Sequence, residues 1–109
     1  MFKIVDRPEF THDVPVMVPV DGGYREEKLR TRYRVVPDSE AESLVMSRTE
    51  DVKAFLRLAV VGFEDVVDDA DQPIPYSDEL RERLIGAPHV RLALVRGYTA
   101  AVSKARLGN

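Results

Sequence analysis

The sequence predicts an α+β fold, with an N-terminal antiparallel β-hairpin packed on a C-terminal bundle of about four α-helices. Three observations predict it. Two stretches within Phe10 to Val36 alternate apolar and polar residues and are separated by Asp21-Gly22-Gly23, a hairpin pattern. From Ser39 onward, apolar residues recur at spacings of three and four, punctuated by caps and prolines. The 109 residues allow one modest core. A single domain over 1–109 is therefore expected, with the hairpin at 10–36, helices at 39–106 and a frayed tail at 107–109.

The first strand places Phe10, His12, Val14, Val16, Val18 and Val20 on one face. Pro15 and Pro19 share the other parity. Proline has no N–H to give a ladder, so both suit the open side of an edge strand. On the returning strand, Tyr24 to Val36, Leu29, Tyr33 and Val35 share one face. Lys28, Arg30, Arg32 and Arg34 share the opposite one. A three-residue loop would set the valines beside the arginines. A four-residue loop, Asp21 to Tyr24, or a bulge aligns Val16 with Leu29, His12 with Tyr33 and Phe10 with Val35, and is the expected arrangement. Phe2 to Val5 is an apolar patch that is either a third short strand or a docked arm. An isolated hairpin is marginal in water, so its apolar face needs the helices or another subunit.

Pro37-Asp38-Ser39 stops the second strand. Ser39 and Glu42 fit a capping box for a short helix over about Glu40 to Ser47. Ser47 or Thr49 caps a second helix whose stripe is Val52, Phe55, Leu56, Ala59, Val60 and Phe63. The connector Gly62 to Ser77 breaks into an acidic turn (Asp68, Asp69, Asp71), then a stiff Pro73-Ile74-Pro75-Tyr76 segment. Ser77 reads as an N-cap for a third helix, Asp78 to about Ile85, with Gly86 at its end. Pro88 suits the first turn of a fourth helix running to about Arg106. There, Gly97, Tyr98 and Ala101 make a flat strip that permits close helix approach.

The totals exclude several function classes. Apolar residues are 44%, charged residues 32%, and the net charge is -3, values of an ordinary globular protein with no general attraction to nucleic acid or anionic membrane. There is no cysteine, hence no disulfide or thiol nucleophile. No apolar run approaches the ~20 residues of a membrane span, and Met1 to Phe10 lacks the apolar core of a secretory signal, so a cytoplasmic protein is expected. The acidic turn fails as a calcium loop: counted from Asp69, the sixth residue is Ile74 and the twelfth Leu80, where glycine and glutamate are needed. His12 and His89 are the only histidines, and neither has a second at ligand spacing. No nucleophile elbow, phosphate loop or zinc-protease motif is present. The row of Lys28, Arg30, Arg32 and Arg34 lacks interleaved aromatics on the same face and sits in a net acidic protein, so a solvated face is expected. Charge is segregated: Leu58 to Leu80 holds seven carboxylates and no Lys or Arg, whereas Arg81 onward holds six basic residues and only Glu82 acidic. Such polarity either sets a head-to-tail contact between copies or complements helix ends.

The order of Asp21-Gly22-Gly23 between two strands, Gly62-Phe63-Glu64 through Val66-Val67-Asp68, Pro73-Ile74-Pro75-Tyr76-Ser77, and Pro88-His89-Val90 leading to Tyr98 resembles the tail assembly chaperones of siphovirus-type bacteriophages and prophages. The resemblance covers about residues 10 to 105. Two positions depart from it: Phe63 stands where Trp is frequent, and Asp71 where a turn glycine is common. The resemblance implies a non-catalytic protein of the host cytoplasm, absent from the mature virion. It would need no cofactor or metal. Its partners would be copies of itself, in a homo-oligomer for which a ring is one arrangement, and the tape measure protein, kept soluble until the tail tube protein polymerises and displaces the chaperone. Neither nucleic acid nor membrane is a partner in this reading. This chain would correspond to the short form, a longer one arising by frameshift in related phages. Candidate interaction residues are Phe55, Val61, Phe63, Pro73, Pro75, Tyr76, Gly97, Tyr98 and Ala101, each weighed against a place in the core. The alternatives are a structural virion component, such as a tail or head–tail connector protein, and a small enzyme or nucleic-acid-binding regulator.

Overall fold

The computed structural model describes residues 1–103. The expected tail at 107–109 and the expected helix end near Arg106 lie outside them. The architecture is α+β, as expected. Strands β1 (Glu9–Val20) and β2 (Gly23–Arg34) form the hairpin, followed by helices α1 (Asp38–Ala41) and α2 (Thr49–Ala59), strand β3 (Val60–Glu64), and helices α3 (Asp78–Ile85) and α4 (Pro88–Val102). The sheet is antiparallel in the order β1-β2-β3. β1 is therefore an edge, as its two prolines require.

The hairpin register differs from the expected one. Val20 pairs with Gly23, and the ladder sets Val14 opposite Leu29, His12 opposite Thr31 and Phe10 opposite Tyr33. The loop is the two residues Asp21 and Gly22 rather than four. Gly22 makes this tight closure at φ +80, a conformation glycine reaches without a Cβ clash. A slip of two residues keeps the face, so Val14 meets Leu29 and Phe10 meets Tyr33 rather than Arg30, Arg32 or Arg34.

The third strand is Val60–Glu64, not Phe2–Val5. The sequence pattern carries α2 on to Phe63, but the helix ends at Ala59 and the Val60 N–H makes its last bond, to the Leu56 carbonyl. The free edge of β2 decides this. Val60 and Val61 are β-branched, and pairing satisfies backbone groups that a longer helix would leave open on β2. Val60 sits opposite Tyr33 and Phe63 opposite Thr31, with an irregularity at Arg32 and Tyr33. Phe2–Val5 lies outside any strand and is exposed.

Helix α1 is one turn long, with Pro37 at its N-cap, and the Ser39–Glu42 capping box does not form. Neither Ser47 nor Thr49 caps α2: Arg48 occupies that position. The Asp51 carboxylate instead accepts the Val45 N–H at 2.9 Å and ties the loop to the first turn of α2. The cap at Ser77 does form, its Oγ accepting the Leu80 N–H at 3.0 Å. Gly86 ends α3 with right-handed backbone, φ -73, rather than the left-handed conformation of a C′ glycine. Pro88 occupies the first turn of α4.

One core joins sheet and helices. Val14, Val16, Tyr33, Leu56, Ala59, Val60, Ile85 and Leu94 are buried together. Gly97 sets the spacing between α4 and β1. A Cβ there would lie 2.8 Å from Val14 Cγ2 and 3.2 Å from the Tyr33 hydroxyl, so only glycine permits this approach. Two tyrosines tie sheet to helix. The Tyr33 hydroxyl donates to the Leu94 carbonyl at 2.7 Å, and the Val36 N–H donates to the Tyr98 hydroxyl at 3.0 Å. Phe10 and Phe55 complete the aromatic cluster, with centroids 5.4 Å from Tyr33 and 5.1 Å from Tyr98 respectively. Burial pushes the Tyr33 phenol well above its ordinary pKa.

Candidate interaction surface

The arginine row lies on the outer face of the sheet, as the alternation predicts. It is spent on carboxylates of the neighbouring strands. Arg30 meets Asp13 and Glu64 at 3.2 Å each. Arg32 meets Glu9 at 3.2 Å and the Thr11 hydroxyl at 3.0 Å. Arg34 donates to the Leu58 carbonyl at 2.8 Å and pairs with Glu40. That hydrogen bond holds the Glu40 carboxyl below its usual range. Lys28 alone in the row makes no ion pair among the described residues. These contacts neutralise the charge that a phosphate backbone would need.

The acidic connector folds as a small hairpin. Val67 bridges Pro73, and the Ile74 N–H donates to the Val66 carbonyl at 2.8 Å. The Asp68 carboxylate accepts the Ala70 and Gln72 N–H groups at 2.9 and 3.0 Å. Asp71 adopts φ 60, so the position where the resemblance led to a glycine has the backbone of one. Asp is among the few residues that tolerate this region. Among the described residues, no three His, Asp or Glu side chains converge as a metal site, and no helix is long and apolar enough to cross a membrane.

The candidate interaction residues divide. Phe63 and Tyr98 are buried core residues, and Gly97 is buried against β1. Phe55 packs edge-on to Tyr98, and Tyr76 covers Phe63 with centroids 5.7 Å apart. Ala101 is half-buried, and Val61, Pro73 and Pro75 are exposed. These residues do not form one surface.

The structure points to a groove that sequence reasoning missed. It has a volume of about 680 Å³ and runs between α4 and the outer part of the hairpin. Pro15 and Met17 of β1 and Tyr24 of β2 form one wall; Leu92, Ala93, Gly97 and Ala100 of α4 form the other. Glu26, Arg96, His12 and His89 complete the lining, so the two histidines share one groove. The Val14 side of the hairpin base is covered by α4, but the hairpin tip extends past it. Met17 is 48% exposed, Tyr24 69% and Leu92 51%. Such a cluster of exposed large apolar side chains characterises binding surfaces. The small residues Ala93 and Ala100 make a shallow wall that another backbone can approach closely; at Gly97 the close approach is already taken by Val14. A sequence signal existed: Met17 and Leu92 are large apolar residues at positions facing away from the core. A second hollow of about 290 Å³ lies under the opposite side of the hairpin, between Val16, Val18 and Leu29 and the residues Val66, Leu84 and Val90. No protein-family model, curated protein or solved structure matches the chain.

Proposed function

We propose that this chain is a non-catalytic tail assembly chaperone of a siphovirus-type bacteriophage or prophage. It self-associates and binds the tape measure protein, keeping it soluble in the host cytoplasm until the tail tube polymerises. The observation that carries the reading is the groove between the hairpin tip and α4. A holdase must accept apolar helices without reading an exact sequence. An open groove with a flexible Met17, an exposed Tyr24 and a small-residue wall suits that task. The segments behind the resemblance also have structural roles consistent with it: Asp21-Gly22 closes the hairpin, Gly62–Glu64 belongs to the third strand, and Pro88–Tyr98 belongs to the helix lining the groove.

The test is co-expression with the longest coiled-coil-rich open reading frame found beside its gene, scored by the soluble fraction of that partner. The chain should rescue it, and Leu92→Asp with Met17→Asp should abolish rescue while leaving the melting temperature unchanged. A partner that stays insoluble with the wild-type chain overturns the reading. Co-purification of the chain with mature particles would instead favour a structural virion component.

A further inference from the structure

We infer that the segment Phe2–Val5 docks on a second copy of this chain, along the open edge of β3 and beside the acidic connector. The inference rests on the self-association in the proposed function and says which surfaces would carry it. The segment is apolar yet undocked: Phe2 is 90% exposed, Ile4 88% and Val5 56%. The first backbone tie to the sheet after it is at Pro8, whose carbonyl accepts the Val35 N–H at 2.9 Å. Arg7, at φ 55, turns the chain between the two. Within its own copy the segment leaves from β1, whereas β3 lies at the opposite edge with β2 between them. The same surface is therefore more simply met on a neighbour.

Two observations select β3 as the receptor. The outer edge of β1 carries Pro15 and Pro19, which interrupt strand addition. β3 has no proline and pairs on one side only among the described residues. Val61, 36% exposed, and Val67, 50% exposed, give apolar contacts beside that edge. Charge selects the same place. Asp65, Asp69 and Asp71 make no ion pair among the described residues. Lys3 stands between Phe2 and Ile4, so an added strand that turns Phe2 and Ile4 to one side turns Lys3 to the other. Strand addition would supply the main-chain bonds and the acidic turn the preference for a basic side chain. Donor and receptor are different surfaces, so the contact is head-to-tail. It propagates from copy to copy and closes as a ring if the rotation permits.

The chain has no cysteine, which makes cross-linking free of background. Ile4→Cys copies mixed with Val61→Cys copies and oxidised should give a covalent dimer, and Ile4→Cys mixed with Leu92→Cys should not. In light scattering, Ile4→Asp should shift the oligomer to monomer without lowering the melting temperature. Lys3→Glu should weaken assembly several-fold, and adding Asp69→Lys should restore it. Cross-linking to Leu92→Cys in preference to Val61→Cys, or an Ile4→Asp variant that assembles like wild type, overturns the inference. Failure of the wild-type chain to rescue the tape measure partner, with the Val61 cross-link intact, would remove the chaperone reading and leave this interface standing.

Discussion

The base and the tip of the hairpin are built from the same alternation and meet opposite fates. At the base, Val14 is fully buried and Val16 nearly so, under α4. At the tip, Val20 is 41% exposed and Tyr24 69%. Strand propensity does not separate them. What separates them is the helix beneath. Gly97 lets α4 touch Val14, and the two tyrosine hydrogen bonds pin that contact. The tip projects past the helix and keeps its apolar groups in water. The base therefore holds the fold together, and the tip is available to a partner.

Substitutions along α4 test this division most strongly. Leu94→Ala should lower stability by about 3 kcal/mol, because it empties a fully buried site. Leu92→Ala, two residues away on the groove side, should change stability by less than about 0.5 kcal/mol. Chemical denaturation of both variants checks the contrast, and equal losses would erase the distinction between the two faces. Gly97→Ala should cost about 1–2 kcal/mol. The stiff, buried Val14 cannot yield the space cheaply, and this outweighs the roughly 1 kcal/mol gained in helix propensity.

Tyr33→Phe should cost about 1 kcal/mol by leaving the Leu94 carbonyl without its donor. It should also change the alkaline limb of stability. Burial raises the folded pKa of Tyr33 above the ordinary phenol value of 10.0. The folded state thus holds a proton that the unfolded state releases as pH rises past that value. Stability contributed by this group is complete below it and is lost above it, at up to about 1.4 kcal/mol per pH unit. The variant should lack that portion of the slope in denaturation curves measured upward from about pH 9.

The smallest effect lies at the surface. Arg57 forks onto Glu82 at 2.7 and 3.0 Å, and this hydrogen bonding lowers the Glu82 pKa. A lowered carboxyl pKa contributes above its ordinary value and is lost as pH falls through the folded one. Glu82→Gln should cost a small amount of stability at neutrality, and its difference from the wild type should vanish as pH falls below the ordinary carboxylate range.

Much of this fold was legible because its signals are local. The proline parity of β1, the face of Tyr33, the Ser77 cap and the Pro88 start each depend on a few neighbouring residues. The end of α2 was not legible. Val52 through Phe63 carries a helical stripe, and only the unpaired edge of β2 turns its last part into a strand. The hairpin register was half legible: parity follows from the apolar pattern, whereas loop length follows from the closure at Gly22. The interaction surface was least legible, because Phe63 read as a surplus apolar residue, and Gly97 and Tyr98 as part of an open strip, until the partners that bury them are known.

By itself, the sequence determined the α+β class, the hairpin, the edge character of β1 and the starts of the last two helices. These follow from backbone chemistry: prolines without N–H, a glycine able to reach positive φ, a serine that caps. Only the tertiary structure decided the third strand, the tight register and the groove beside α4. Each depends on groups distant in the chain meeting, and the free energy of burying an apolar face or pairing an open edge exceeds the local preference of any one segment.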